Sequence, residues 1–164
     1  MKKILSVLVL ALLTFSFCGS ALADIPVSEY LTDGPGITPF DTSKPTKVWS
    51  WSDGTYYGSL VNVKSWTNTR YCFYPTSTGK LFVWLKGGTG SKENYKVYII
   101  RASDNKKVAT LSQDSDSDGV INKKWTVSGL TAGTKYYVRV QHYSGYKMLS
   151  GSGIYVNNSS KYNV

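Results

Sequence analysis

The sequence predicts an all-β protein, a β-sandwich or jelly roll carried behind an extended N-terminal arm. Three observations predict it. Helix signals are nearly absent beyond the first residues, short runs rich in Val, Ile, Tyr and Trp recur along the chain, and clusters of Gly, Ser, Asn and Asp separate them. Several short strands at such spacing close on themselves as two packed sheets.

The first 23 residues read as a signal peptide. Lys2 and Lys3 form a positive start, the stretch from Ile4 to Phe17 is apolar but too short to span a bilayer, and Ala21-Leu-Ala23 is a small-x-small cleavage site. Phe17 precedes Cys18 where a lipid-anchoring site needs a small residue, so release without a membrane anchor is expected. Residues 24–45 contain Pro26, Pro35, Pro39 and Pro45 with Gly34 and Gly36, which predicts the extended arm. Residues 46–164 are expected to form a single sandwich domain, with strands over 47–51, 56–66, 71–74, 80–86, 95–101, 107–111, 121–127, 135–143 and 153–156.

Alternation assigns faces to these strands. In 135–143, Tyr136, Val138 and Val140 point to the core, and Lys135, Tyr137, Arg139, Gln141 and Tyr143 point to water. In 121–127 the inward set is Ile121, Trp125 and Val127, with Lys123 out of character among them. The strand 80–86 reads two ways. Leu81, Val83 and Leu85 form one apolar face and Phe82 with Trp84 another, so it is either a central strand buried on both sides or the platform of a binding face.

The run RYCFYPTSTGKLFVWLKGGTG, then NYKVYIIRASDNKKVA and LTAGTKYYVRVQHYSG, resembles the bacterial pre-peptidase C-terminal domain over 64–156. Glu93-Asn94 stands where that family often has further acidic residues, and Lys135 is inserted before Tyr136. The same stretch also resembles a fibronectin type III domain, with Leu130-x-x-Gly-Thr-x-Tyr136 as a tyrosine corner and Trp84 as the core tryptophan. Either resemblance implies a sandwich, and the first implies a non-catalytic accessory role beside secreted proteases.

Charge narrows the partners. Without the leader the chain keeps 17 basic against 10 acidic residues, a formal charge of +7. Such a surplus attracts anionic partners, or simply keeps the protein soluble. Export makes wall polymer, extracellular polysaccharide or protein the expected partner class, and nucleic acid is not expected. Cys72 is the one cysteine left after the leader, so no intramolecular disulfide can staple the core.

Chemical signatures are sparse. Asp114, Asp116 and Asp118, followed by Gly119, copy the front half of a Ca²⁺ loop, yet Trp125 occupies the position of the bidentate glutamate and Lys123 and Lys124 add positive charge. The stretch is either a weak calcium site or an acidic hairpin turn. His142 and Cys72 are the one conceivable base and nucleophile, each inside an aromatic strand, so an enzyme is not expected and no cofactor beyond that calcium candidate is implied. Thirteen Tyr and five Trp are the stronger signal, because such rings stack on sugars or peptides at low entropic cost. The row Lys135, Tyr137, Arg139, Gln141 and Tyr143 is the preferred ligand-binding patch, and Trp49 with Trp51 a second. The reading is an exported bacterial binding module; a matrix protein pairing through open strand edges, and an unrecognised secreted enzyme or toxin, are the alternatives.

Overall fold

A computed structural model describes residues 42–143 and 145–160. The expected leader, and the arm as far as residue 41, lie outside the described residues. The described chain forms eight strands: β1 (Tyr56–Ser59), β2 (Trp66–Asn68), β3 (Leu81–Gly88), β4 (Asn94–Arg101), β5 (Lys107–Asp114), β6 (Val120–Val127), β7 (Tyr136–Gln141) and β8 (Gly153–Asn157). They make two antiparallel sheets of four, in the orders β1-β8-β3-β6 and β2-β7-β4-β5. The protein is a β-sandwich, as the sequence predicts.

Period-two alternation builds the interior. From the first sheet Leu81, Val83 and Leu85 of β3, Ile121 and Val127 of β6, and Ile154 and Val156 of β8 turn inward. Tyr95, Val97 and Ile99 of β4 and Tyr136, Val138 and Val140 of β7 meet them from the second sheet. Each such side chain contributes about 1.5–3 kcal/mol by leaving water. The tyrosine corner forms: the Thr131 amide donates to the Tyr136 hydroxyl at 3.0 Å, pinning the β6–β7 connection to the strand it enters. Trp84 is not the core tryptophan of that pattern, since its ring stands half-buried on the outer side of β3.

Several expected strands come out differently. The run 56–66 is cut in two because Asn62 takes φ of 68°, and the turn there carries the chain from one sheet into the other. The runs 47–51 and 71–74 give isolated bridges, Val48 to Cys72 and Phe73 to Tyr136, and Trp51–Asp53 winds into a short 3₁₀ turn. Their hydrogen bonds join loop to loop: Trp49 donates to the Cys72 carbonyl and Cys72 to that of Lys47. Trp125 is half-buried against the core rather than within it.

Candidate binding surfaces

The outer side of the first sheet carries a straight cross-strand row. Register aligns Tyr57 with Tyr155, Tyr155 with Trp84, and Trp84 with Lys124, one residue from each of the four strands. Tyr155 and Trp84 stack with centroids 4.5 Å apart and planes 22° from parallel, and Tyr57 lies 4.8 Å from Tyr155 at 37°. The Lys124 ammonium sits 4.5 Å over the far face of Trp84. Asn122 fixes the indole by accepting its Nε1 proton at 2.7 Å. These rings therefore stand on edge in a rigid ladder and show water their rims and hydroxyls.

Tyr57 differs from its neighbours in the row. It lies over Gly153, whose missing side chain makes room for it: a Cβ there would fall 2.3 Å from the tyrosine ring. The ring is 48% exposed, so this end of the row offers a flat apolar surface. Burial, with a smaller contribution from Tyr57, pushes the Tyr155 phenol above its ordinary pKa. Phe82 continues the apolar strip along β3, half-buried. β3 is thus a central strand of its sheet whose outer side, with Phe82 and Trp84, is half-buried rather than sealed.

The second sheet's outer side is different, and it corrects the preferred patch. Tyr137 is 2% exposed and Gln141 3%, whereas Lys135 is open and Tyr143 is 53% exposed. Tyr137 is sealed with Cys72, Tyr98, Ile100 and Ala102 in a second apolar cluster, against which Val48 packs. The cause is a strap formed by residues 42–48. Asn68 Nδ2 donates to the Thr42 and Ser43 carbonyls at 3.0 Å each, and the Cys72 thiol donates to that of Pro45 at 3.2 Å. The expected water-facing row is therefore not one continuous open face.

Cations cover the rings that remain near this face. The Arg139 guanidinium lies 4.2 Å over Trp66 and donates through Nε to Asn68 Oδ1 at 2.9 Å. The ammonium of Lys107 covers Tyr98 at 4.5 Å, and that of Lys96 covers Tyr143 at 5.1 Å. Burial, reinforced by the neighbouring Tyr143, pushes the Tyr98 phenol up to about 12.

Trp49 and Trp51 come together as a cover over the core. Trp49 meets Tyr56 and Tyr71 edge-on at 5.3 Å and donates to the Gly54 carbonyl, and Trp51 stacks on Phe73 and donates to the Tyr74 carbonyl. Both are half-buried. Asp114 ends β5 and Asp116 and Asp118 lie on the exposed turn that follows, with their carboxylates engaged nearby. Asp116 accepts from the amides of Asp118 and Val120 at 3.1 and 2.7 Å, and Asp114 accepts from Asn94 at 2.6 Å. No group of three His, Cys, Asp or Glu among the described residues is placed to hold a metal.

Cys72 and His142 belong to different environments. Burial pushes the Cys72 thiol above its ordinary pKa, the opposite of what an activated nucleophile needs. His142 is fully buried; Nε2 is 3.1 Å from the Val63 carbonyl, and Nδ1 is 3.4 Å from Glu93 Oε2 in a geometry that makes no hydrogen bond. It fastens the end of β7 to the 63–65 segment, where its amide donates to Ser65 at 2.7 Å.

The aromatic row was missed by sequence reasoning. Alternation places Phe82 and Trp84 on one side of β3, but which residues stand beside them depends on register with strands dozens of positions away.

No protein-family profile matches the chain, and no curated protein matches it either. Among solved structures, it is similar to the pre-peptidase C-terminal domain of a collagenase from Bacillus anthracis, at 18% identity over 73% of this chain and 94% of that one, with a TM-score of 0.33.

Proposed function

We propose that this protein is an exported, non-catalytic module that adheres to an extended polymer outside the cell, a wall or extracellular polysaccharide or a protein polymer. The row Tyr57, Tyr155, Trp84 and Lys124 is its contact surface, and that row is the observation that carries the reading. Three rings and a cation on a sheet face left open by the described residues are preorganised by stacking and by Asn122, so little side-chain entropy is lost when a ligand lies along them. Four strands at about 4.8 Å spacing give a track roughly 14 Å long. Such a track suits a chain-like ligand better than a compact one. Lys124 at one end favours ligands with an acidic group there, and the flat Tyr57 face at the other favours an apolar or sugar surface.

The test is co-sedimentation with purified wall, insoluble polysaccharide and fibrous protein. The expected result is retention on one of them, lost in Tyr57→Ala and Trp84→Ala and kept when the acidic turn is changed by Asp118→Asn. Retention that both aromatic variants leave intact would remove the row from the function.

A second reading, assembly into a matrix, draws on β5. Among the described residues that strand pairs on one side only, with β4, and its eight-residue other edge along Lys107–Asp114 has no partner strand there. Sedimentation velocity at rising protein concentration decides it: growing species without any ligand support the matrix, and a constant monomer excludes it.

A further inference from the structure

On the opposite side of the molecule from the aromatic row, a cavity of about 360 Å³ opens between the strap and the second sheet. Lys44 reaches it from the strap, Lys107 from the start of β5 and Arg139 from β7, and among the described residues no carboxylate lines it. The carboxylate of the neighbouring β4–β5 turn, Asp104, is held by Arg101 at 2.8 Å. Three cations thus share one hollow without a counter-charge among the described residues. Two of them rest on rings, Lys107 on Tyr98 and Arg139 on Trp66, and a ring quadrupole offsets part of a cation's charge at most.

The hollow is also ordered. Arg139 is fixed from below by Trp66 and from the side by Asn68, and Asn68 is itself pinned to the carbonyls of Thr42 and Ser43. Nε is engaged, so the two terminal nitrogens form a planar fork with no protein acceptor among the described residues. Tyr137 and Asn105 close the floor, with the phenol 3.4 Å from the Asn105 amide oxygen. That floor holds because Tyr137 is buried under the strap. A rigid fork flanked by two movable ammonium groups matches an anion that presents several oxygens in different directions.

We infer that this hollow binds a tetrahedral oxyanion ester with three terminal oxygens, a sulfate ester or a phosphomonoester carried on a larger molecule. Each terminal oxygen meets one cation, the cavity volume holds the group with its bridging oxygen, and the net positive charge of the chain draws such ligands in. This site is independent of the aromatic row: it lies on the other sheet and shares no residue with it.

Titration of the ¹⁵N-labelled protein with inorganic sulfate and with inorganic phosphate tests the assignment. The expected result is saturable amide shifts confined to residues 42–44, 46, 104–107 and 137–139. The pair Lys44→Gln with Lys107→Gln should weaken binding at least about tenfold, as expected for losing charge-assisted contacts. A charge-matched pair, Lys80→Gln with Lys123→Gln, should change it less than about twofold. Equal weakening by both pairs, or shifts that never saturate and spread over the whole surface, would overturn the site. Retention on dextran sulfate against a phosphomonoester-bearing dextran, with plain dextran as control, then separates the two ester sources.

Discussion

The two outer faces of this sandwich start from the same composition, aromatic residues alternating with lysine or arginine, and arrive at opposite states. On the first sheet ring stacks on ring and the ladder stays open to water. On the second sheet each of three outer rings, Trp66, Tyr98 and Tyr143, lies beneath a cation, and the strap buries Tyr137. The difference teaches that alternation assigns a side chain to a face without deciding whether that face meets solvent. A segment more than 85 positions earlier in the chain decides it for Tyr137.

The largest expected effect separates the two faces directly. Tyr137→Ala opens a cavity beneath the strap and should cost about 3–5 kcal/mol in urea unfolding, while Tyr155→Ala, on the open ladder, should cost about 1 kcal/mol. Equal costs would mean the faces are not differently covered. A second contrast lies within β1, where Tyr56 points inward and Tyr57 outward. Burial pushes the Tyr56 phenol up to about 12. A raised phenol stabilises the folded state fully below pH 10 and stops doing so as pH rises through 12, a loss of about 2–3 kcal/mol. Alkaline melting of Tyr56→Phe should therefore start at higher pH than in the parent, as circular dichroism across the alkaline range would show.

Gly153→Ala sharpens the open face alone. The new methyl must push the Tyr57 ring away, costing about 1 kcal/mol in thermal unfolding and weakening polymer retention. The smallest effect belongs to the covered face, where Lys107→Gln removes a cation from Tyr98 and should cost about 0.5–1 kcal/mol in urea unfolding.

Much of the interior was legible before the structure. Tyr136, Val138 and Val140 read as core because one side of their strand is apolar at every second position, and the tyrosine corner from Leu130 to Tyr136 was implied by the resemblance to a fibronectin type III domain. Trp84 misled, since an aromatic residue in an apolar strand can be ladder as well as core, and only the register with Tyr155 and Lys124 distinguishes them. The outward row of β7 misled for a related reason. Its burial depends on a loop-to-loop bridge between Val48 and Cys72 that no periodicity announces. The stretch with Asp114, Asp116 and Asp118 read either as a weak calcium site or as an acidic hairpin turn, and the structure adds that Asp116 accepts from the Val120 amide across that connection.

The strap has a mechanical consequence. Tension applied to the chain ahead of Thr42 loads first the two amide contacts at Asn68, then the thiol at Pro45, before it reaches the bridge at Val48. These yield one after another, like a zip, while the eight paired strands resist together. Loss of those contacts would part the strap from an otherwise whole sandwich and bare Tyr137.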